Sequence, residues 1–404
     1  MNLWALEISV QDRASLLKAL KQAKGGEVLL LAAGDYGELD LWADGPVPPV
    51  YAEPVILRAA AASPPIFTRL KLTGARNLAF EGVLFDYIFA AGDAPGQTRP
   101  FHIKDSTNIR FTDVIFDGDV ASGRGPEDNG YAVGIGLSAR HVTRFTLQRS
   151  EIRSFYRGLV VGEGTDVLIA ENDLHDLRSD GMNFVKATGL RVEGNVIRDF
   201  RRSFASRDHA DMIQFWSMNA DYPTTDVVIR RNFLTVGNGD HTQSIFMRNE
   251  AVDMQGGDLS MYYRDIVIEE NLILNNHFHG ITVGETDGLT IRRNTLIRVP
   301  RRSEPGIRGT FANMPGIQVA DSSRNVTVRA NVASRVPKVQ AGWKQVGNAI
   351  VQDLEAFEGG YYPRVFANPF AGKPYRPENF KPVSGALLDR SELGAPLSIF
   401  RWGE

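Results

Sequence analysis

The sequence contains no cysteine, so it offers neither a disulfide framework nor a thiolate nucleophile. No apolar run approaches the ~18 residues that a transmembrane helix requires, and the first residues lack the basic segment and apolar core of a cleavable signal peptide. There are 45 basic and 48 acidic residues, for a net charge of −3, so the composition gives no indication of a nucleic-acid or membrane partner. The hydrophobic content of 43% is enough for a sizeable core.

The sequence does contain a repeat of short apolar segments that end in asparagine. The last six of these asparagines are Asn172, Asn195, Asn232, Asn271, Asn294 and Asn331, at intervals of 23, 37, 39, 23 and 37 residues. The short interval corresponds to one strand–turn–strand coil, and the longer intervals correspond to a coil with roughly 15 inserted residues. Because the repeat unit contains no helix, it predicts an all-β solenoid, with the asparagines in a stacked hydrogen-bonding ladder.

Three segments within residues 178–249 align with one another and define the orientation of the predicted strands. Apolar side chains alternate with other residues in each segment, as expected for strands with one buried face. The predicted inward residues, with those of a fourth coil, are Met182, Phe184, Ile213, Phe215, Ile245, Met247, Ile281 and Val283. The predicted outward residues, which form the floor of a groove, are Asn183, Gln214, Trp216, Phe246 and Arg248, with Lys186 at a strand end.

Both ends of the repeat show signs of capping. Residues 9–12 fit a capping box, and Leu16, Leu17 and Leu20 lie on one face of the helix that follows. We therefore expect an N-terminal helix over the open end of the stack. The repeat ends after Val336, which predicts a β-solenoid domain over residues 1–336 and an irregular C-terminal cap or assembly segment over residues 337–404. The predicted walls of the groove are the insertions at 117–130, 201–210, 250–265 and 299–314.

Three histidines each lie four residues before an inward isoleucine: His209, His241 and His277. They are predicted to stack on successive coils, about 4.8 Å apart at each step. Asp208 and Asp240 precede two of them, and Asp180 and Asp211 occupy equivalent positions two residues before an inward residue. This pattern allows three interpretations: a stack of hydrogen-bonded imidazoles, a general base, or a metal site formed by Asp208, Asp211 and Asp240.

Lys186 is the only lysine between Lys104 and Lys338, although arginine is abundant there. An ammonium group can act as a base when its pKa is lowered, and arginine replaces it poorly in that role. Lys186 is therefore a candidate base, with a solitary surface lysine as the alternative. Arg248 is predicted to point outward, where it can clamp a carboxylate. The predicted substrate-binding side chains are Trp216, Gln214, Asn183, Asn249 and Tyr263.

Three stretches resemble the right-handed parallel β-helix polysaccharide lyases of the alginate lyase and chondroitin B lyase family. They are the helix followed by residues 25–36, the strand end at residues 184–187, and residues 246–249. The resemblance implies a single-stranded right-handed parallel β-helix, Lys186 as the base, Arg248 assisting the leaving group, and calcium neutralising a uronate carboxylate. In this chain the 212–217 coil separates Lys186 from Arg248, which places them about 9–10 Å apart along the stack.

Residues 208–211 are also similar to the Asp-Pro-His motif of the β-helix mannuronan epimerases. The resemblances together imply an acidic polysaccharide as the partner and an extracellular or virion-associated location.

Cleavage of a uronate polymer by β-elimination needs a cation on the carboxylate, a base near the carbon and an acid at the glycosidic oxygen. Arg248 is the candidate cation, His209 or Lys186 the base, and a tyrosine or His241 the acid. The alternatives are a uronan epimerase, a glycoside hydrolase that uses two aspartates about 5–9.5 Å apart, or a phage tail-spike type protein. We expect a monomer, or a homotrimer if the protein is a spike.

Overall fold

The computed structural model describes residues 6–300, 313–372, 374–390 and 392–400. The predicted wall at 299–314 therefore falls mostly on residues 301–312, outside the described residues. The chain divides into two compact units. The N-terminal unit comprises Met1–Arg178 with Ser203–Arg207, and the C-terminal unit comprises Ser179–Arg202 with Asp208–Glu404. No helix within the described ranges is long and apolar enough to cross a membrane.

The N-terminal unit contains one helix, α1 (Arg13–Gln22), and a succession of strands. The strands are β1 (Glu7–Val10), β2 (Val28–Leu31), β3 (Gly34–Trp42), β4 (Val50–Ala59), β5 (Pro65–Thr73), β6 (Arg76–Glu81), β7 (Leu84–Asp86), β8 (Phe101–Thr112), β9 (Ile115–Asp117), β10 (Asp119–Val120), β11 (Ala132–Val133), β12 (Ile135–Gln148), β13 (Glu151–Arg153), β14 (Arg157–Ala170) and β15 (Asp173–His175). The long strands pair in parallel, β8 with β12 and β12 with β14. Strand β10, within the predicted wall at 117–130, pairs with β11, just after it, in an antiparallel ribbon.

The C-terminal unit contains two short helices, α2 (Glu250–Asp253) and α3 (Tyr362–Val365). Its strands are β16 (Met182–Val185), β17 (Thr188–Glu193), β18 (Val196–Arg198), β19 (Asp211–Phe215), β20 (Thr225–Arg230), β21 (Phe233–Thr235), β22 (Gln243–Met247), β23 (Tyr263–Glu269), β24 (Leu272–Asn275), β25 (His279–Val283), β26 (Thr286–Arg292), β27 (Thr295–Arg298), β28 (Gly316–Val319), β29 (Arg324–Arg329), β30 (Val332–Ala333), β31 (Lys344–Val346) and β32 (Ala349–Ile350).

These strands form three parallel sheets, in which each coil contributes one strand to each sheet. The first sheet is β16–β19–β22–β25–β28. The second is β17–β20–β23–β26–β29–β31. The third is β18–β21–β24–β27–β30–β32. The fold class is thus the predicted right-handed parallel β-helix.

The predicted inward residues of the first sheet are confirmed. Met182, Ile213, Ile245 and Ile281 occupy one register position and Phe184, Phe215, Met247 and Val283 the next inward one. All eight side chains are at most 1% exposed. Stacking like residues on successive coils buries apolar area that one coil could not bury alone.

The asparagine ladder is present and runs one coil further than predicted, to Asn348. At each step an asparagine Oδ1 accepts from the backbone N–H and from the Nδ2 of the asparagine before it, as for Asn271 with Asn294 at 3.0 and 2.9 Å. Each Nδ2 also donates to a backbone carbonyl, such as Asn271 to Ile229 at 2.9 Å. Asn195, Asn232, Asn271, Asn294 and Asn331 are all 0% exposed. The ladder therefore satisfies buried polar groups at the turn of every coil.

The N-terminal helix is present, and its capping box lies three residues later than predicted. Asp12 is the N-cap, and its carboxylate accepts from the backbone N–H of Ser15 at 2.7 Å. The Ser15 hydroxyl accepts in turn from the backbone N–H of Asp12 at 3.0 Å. The predicted start, Ser9, instead belongs to β1, which pairs in parallel with β2.

The strand ladder continues past the predicted boundary at residue 336, through β31 and β32. Beyond Ile350 the chain is irregular and packs on the last coils. Tyr362, Phe366, Phe380 and Phe400 join Val332, Ala349 and Val351 in one buried apolar cluster. A buried ion pair between Arg298 and Asp353 also anchors this segment, and the backbone N–H of Arg298 donates to the Tyr362 hydroxyl at 2.9 Å. That this segment is a cap remains a proposal.

Candidate active site

Two columns of mainly polar side chains follow the first sheet, one at the start of its strands and one on its outward face. In the first column Asp211 pairs with Gln243, and Asp180 and His279 each lie two residues before the inward residue of their own coil. In the second column Asn183 pairs with Gln214, Gln214 with Phe246 and Phe246 with Thr282. The chemistry of both columns changes from coil to coil.

Asp180, His209 and Asp211 form a group at one end of the first column. One donor atom from each residue lies within 4.8 Å of the others. The His209 Nδ1 lies 2.8 Å from Asp211 Oδ2, and the Asp180 Oδ1 accepts from the backbone N–H of Asp211 at 3.2 Å. The Asp211 side chain is 0% exposed, whereas the His209 side chain is 61% exposed. A buried carboxylate thus orients an imidazole whose side chain is largely exposed.

Burial raises the pKa of Asp211 to about 6, and the neighbouring Asp180 adds to this rise. The hydrogen bond from His209 and the charge of Arg202 act in the opposite direction. An ionised Asp211 that accepts the Nδ1 proton of His209 selects the tautomer in which Nε2 carries the lone pair. The arrangement has the features of a general base held in one tautomer.

The polar surroundings of this group are incompletely satisfied. Asp211 Oδ1 and Asn183 Oδ1 are buried and have no hydrogen-bond partner among the described residues. Asn183 Nδ2 donates to Asp180 Oδ2 at 3.2 Å and also contacts Gln214 Oε1. Buried polar atoms without partners are uncommon in folded proteins and are concentrated at functional sites.

Two of the three histidines predicted to stack, His241 and His277, do so with ring centroids 6.3 Å apart. The Nδ1 of His209 lies 2.8 Å from Asp211 Oδ2. His241 is half-buried, and its backbone carbonyl accepts from Arg202 at 2.9 Å.

His279 continues the first column in a more apolar setting. Its Nδ1 lies 2.7 Å from the Thr282 hydroxyl, and Gln318 Nε2 approaches both groups at 3.3 Å. Burial, with a smaller effect of the Arg335 charge, lowers the pKa of His279 to about 4. This imidazole is therefore neutral at physiological pH and serves as a hydrogen-bonding group.

Lys186 pairs with a carboxylate from the loop after the neighbouring strand β19, and Arg248 pairs with a carboxylate of α2, which follows its own strand β22. Lys186 lies 3.0 Å from Asp221 and 4.8 Å from the ring centroid of Tyr222, with its side chain 16% exposed. Arg248 Nε lies 2.7 Å from Asp253, with its side chain 44% exposed. These partners were missed in the sequence because loop residues carry no periodic signal.

The predicted substrate-binding residues divide into two groups. Gln214 and Trp216 are partly exposed, and Asn183 borders the Asp180–Asp211 group. Asn249 and Tyr263 are 0% exposed and belong to the framework. Asn249 donates to the carbonyls of Met261 and Glu285, and the Tyr263 hydroxyl donates to the carbonyl of Arg248 at 2.6 Å. Their position corrects the prediction that they line the groove.

The predicted metal set shares only Asp211 with the group that the structure brings together. Asp240 accepts from the backbone N–H of Arg202 at 2.9 Å, and the carbonyl of Asp208 lies 3.4 Å from the Arg202 side chain. The clustered set of Asp180, His209 and Asp211 includes an imidazole, whereas calcium takes oxygen ligands. The residues therefore do not fit calcium well, and calcium remains a prediction.

Comparisons with known proteins bear on the fold. The chain is similar to the Dettilon tailspike protein, with 13% identity and a TM-score of 0.52 over 84% of this chain and 62% of that one. It is less similar to a periplasmic alginate epimerase, with 13% identity and a TM-score of 0.46 over 86% and 84% of the two chains. An alginate lyase of the PL6 family gives 12% identity and a TM-score of 0.37 over 97% and 58%.

The chain thus spans less than two thirds of the tailspike protein's length. No curated protein sequence matches it. The family model described as the right handed beta helix region matches residues 100–352. Because this match covers more than half of the chain, the protein belongs to the right-handed β-helix family.

Proposed function

We propose that the protein cleaves a uronate-containing, alginate-like polysaccharide by β-elimination, with His209 as the general base. The observation that carries the proposal is the His209–Asp211 pair, in which a fully buried carboxylate holds an exposed imidazole at 2.8 Å. A base of this kind is suited to removing the weakly acidic proton next to a uronate carboxylate.

The proposed reaction assigns a role to each group. The Nε2 of His209 takes the proton from the carbon that bears the carboxylate, and negative charge builds on that carboxylate. Arg248 is partly exposed and stabilises this charge. The electron pair then forms a carbon–carbon double bond as the glycosidic carbon–oxygen bond breaks, and the leaving oxygen takes a proton from an acid. His241 is the candidate acid.

Lys186 is the second candidate base. Its contacts with Asp221 and the Tyr222 ring suit a side chain that serves as a cation. We therefore assign Lys186 to binding of the anionic substrate and His209 to proton abstraction.

Epimerisation is the second candidate reaction, because it shares the proton-abstraction step. The observation that favours it is that the histidine and an aspartate of the 208–211 run are in contact. In this reaction the proton returns to the opposite face of the carbon and no glycosidic bond breaks.

The test is incubation with a panel of acidic polysaccharides, in which ultraviolet absorbance follows the unsaturated product. A parallel incubation in D₂O follows deuterium at the carbon next to the carboxylate by NMR. Absorbance growth supports the lyase, and deuterium incorporation without absorbance supports the epimerase. Binding of a polymer with neither signal favours the spike-type alternative and overturns the enzymatic proposal.

A further inference from the structure

A second group of charged side chains lies on the N-terminal unit, on the outward face of β8 and β12 and at the start of β14. The alternation is defined by Phe101, Ile103, Leu137, Ala139, Leu159 and Val161, which point inward and are 0% exposed. His102 pairs with Ser138 and Lys104 with Arg140 in the parallel register, so all four side chains point the other way. Arg157 begins β14 and pairs with Ile135.

Arg99 joins this group from the loop before β8. The loop is fixed on both sides, because the carbonyl of Thr98 accepts from Ile135 and that of Pro100 accepts from Leu70, both at 2.9 Å. The Arg99 side chain is exposed. We call Arg99, His102, Lys104, Arg140 and Arg157 the cation face.

The members of the cation face are close enough to repel one another. Burial has the largest effect in lowering the pKa of Arg99, and the positive charges of Arg140 and Arg157 lower it further. The pKa of His102 is likewise lowered, first by burial and then by the charge of Arg99, with smaller effects of Arg140 and Lys104. The positive potential is therefore concentrated here, although the whole chain is slightly acidic.

Several arginines on the strands of this fold pair with a carboxylate, whereas two members of the cation face do not. Arg153 pairs with Asp117 at 2.7 Å, and Arg230 with Glu193 at 2.8 Å. In the part of the chain that the structure describes, Arg99 and Arg140 have no carboxylate partner within 4.0 Å. Among the other members, Lys104 has Asp105 at 3.4 Å, in an exposed pair that is worth little.

Two polar atoms at the centre of the face also lack partners. His102 Nδ1 and Ser138 Oγ, on paired positions of adjacent strands, are buried without a hydrogen bond within the described ranges. Ser138 is 0% exposed. A ligand on the surface cannot reach these two buried atoms, but the exposed arginines without a carboxylate partner are groups that an anionic ligand would pair with.

We propose that the cation face binds an acidic polysaccharide through the carboxylate or sulfate groups of successive sugars. Adjacent strands are about 4.8 Å apart, so the face presents a row of positive charges to a linear anionic chain rather than a pocket to one small ion. Binding at such a face depends on salt, because it exchanges condensed counterions for protein contacts. The inference concerns binding alone and does not rest on the proposed reaction.

The test measures binding of polyuronate, of dextran sulfate and of neutral dextran, by calorimetry at several salt concentrations. The protein carries His209→Ala, so that the polymer stays intact. Adding Arg99→Glu and Arg140→Glu together is expected to weaken binding by tenfold or more, since each lost contact of about 1.4 kcal/mol is a factor of ten. The salt dependence should become shallower as well.

Arg110→Glu is the matched control. Arg110 is an exposed arginine of the same strand β8, on the part that pairs with Ala79 and Thr146 rather than with Lys71 and Ser138. It makes the same change at one site, half the net charge change of the double variant, away from the cation face, and binding should change less than about twofold.

Several results would decide the question. Tight binding of polyuronate alone identifies carboxylates as the ligand chemistry, and tight binding of dextran sulfate alone identifies sulfates. Equal weakening by Arg110→Glu, no weakening by the double change, or equal binding of single-stranded DNA overturns the inference. Because turnover is measured separately with His209 intact, failure of this inference leaves the proposed reaction untouched, and the reverse also holds.

Discussion

The asparagine ladder and the column that begins at Asp180 lie in the same unit and recur once per coil, but they use side chains in opposite ways. The ladder places one residue type at the same turn of each coil, and its members bond to one another and to backbone carbonyls. The other column reads Asp180, Asp211, Gln243, His279, and its buried Asp211 Oδ1 lacks a partner among the described residues. Repetition of one side chain indicates a framework, and a break in repetition indicates a site.

This contrast has a physical basis. A solenoid needs the same polar groups satisfied at every turn, so the same side chain solves the problem each time. A reaction needs one base at one place, so its residues appear on one or two coils. The effects of mutation should separate in the same way, with activity lost from one column and stability from the other.

The largest expected effect is on turnover in His209→Ala. Removing a general base typically costs ~10²–10⁴-fold in kcat. The free energy of unfolding should fall by about 1–3 kcal/mol, because buried Asp211 loses its hydrogen bond from His209. Steady-state kinetics and denaturant titration check the two parts. Lys186→Ala is the comparison, and a loss in that variant as large as in His209→Ala would transfer the role of base to Lys186.

The next effect is on stability in Asn271→Ala. The change leaves the backbone N–H of Asn232 and the carbonyl of Ile229 buried without their partners. Since each such group costs about 1–3 kcal/mol, the free energy of unfolding should fall by about 2–4 kcal/mol while kcat per folded molecule is kept. Asn238→Ala, at an exposed asparagine, is the control and should change stability by less than about 0.5 kcal/mol. Equal losses in both variants would remove the special status of the ladder.

The ionisation of Asp211 should give a smaller effect. As the pH rises, it should lower the stability and raise the turnover. Its pKa is raised from 3.8 to about 6 in the folded protein, which therefore binds the proton more tightly than the unfolded chain does. Its contribution to stability is thus present below pH 3.8 and is lost as the pH rises to about 6. Turnover rises over the upper part of that range, because the ionised carboxylate is the form that orients His209.

Asp211→Asn isolates this contribution. The free energy of unfolding of the variant, relative to that of the wild type, should increase by on the order of 1–3 kcal/mol between about pH 4 and about pH 7. Its kcat should be lower and should no longer rise through pH 6 with Asp211. Thermal unfolding and kinetics at matched pH values check both, and parallel stability curves for the two proteins would contradict the role of Asp211.

The smallest expected effect is in Arg248→Ala. A carboxylate clamp acts in both the ground state and the transition state, so KM should rise and kcat should fall, each by about tenfold or less. Arg248→Lys keeps the charge and should recover part of the loss. A change in stability with unaltered kinetics would show that the pair with Asp253 is structural.

The sequence was informative wherever a residue's position in the coil decided its role. Period-two alternation was enough to orient Met182 and Phe184, and the equivalence of Asp180 and Asp211 was visible as a shared offset from the inward residues. Asn348 was not predicted as a member of the ladder because it follows Asn331 by 17 residues, an interval that occurs nowhere else in the ladder.

Contacts made by insertions could not be predicted in this way. The Asp221 and Tyr222 contacts of Lys186 and the Asp253 contact of Arg248 depend on how a loop folds back over the sheet. The burial of Tyr263 similarly reflects the path of the chain after α2. Such contacts do not repeat from coil to coil, and it is this repetition that allows the strands to be predicted from the sequence.

Stacked coils have no intrinsic limit to their length, since each new parallel strand completes the hydrogen bonds of the one before it. The terminal coil of an open stack therefore offers an edge on which a second copy could continue the sheet. The aromatic cluster of Tyr362, Phe366, Phe380 and Phe400 packs on the last coils at the point where such growth would begin. We propose that this apolar layer makes the irregular C-terminal segment a stop for fibre growth, so that the segment protects the protein from aggregation as well as stabilising the last coils.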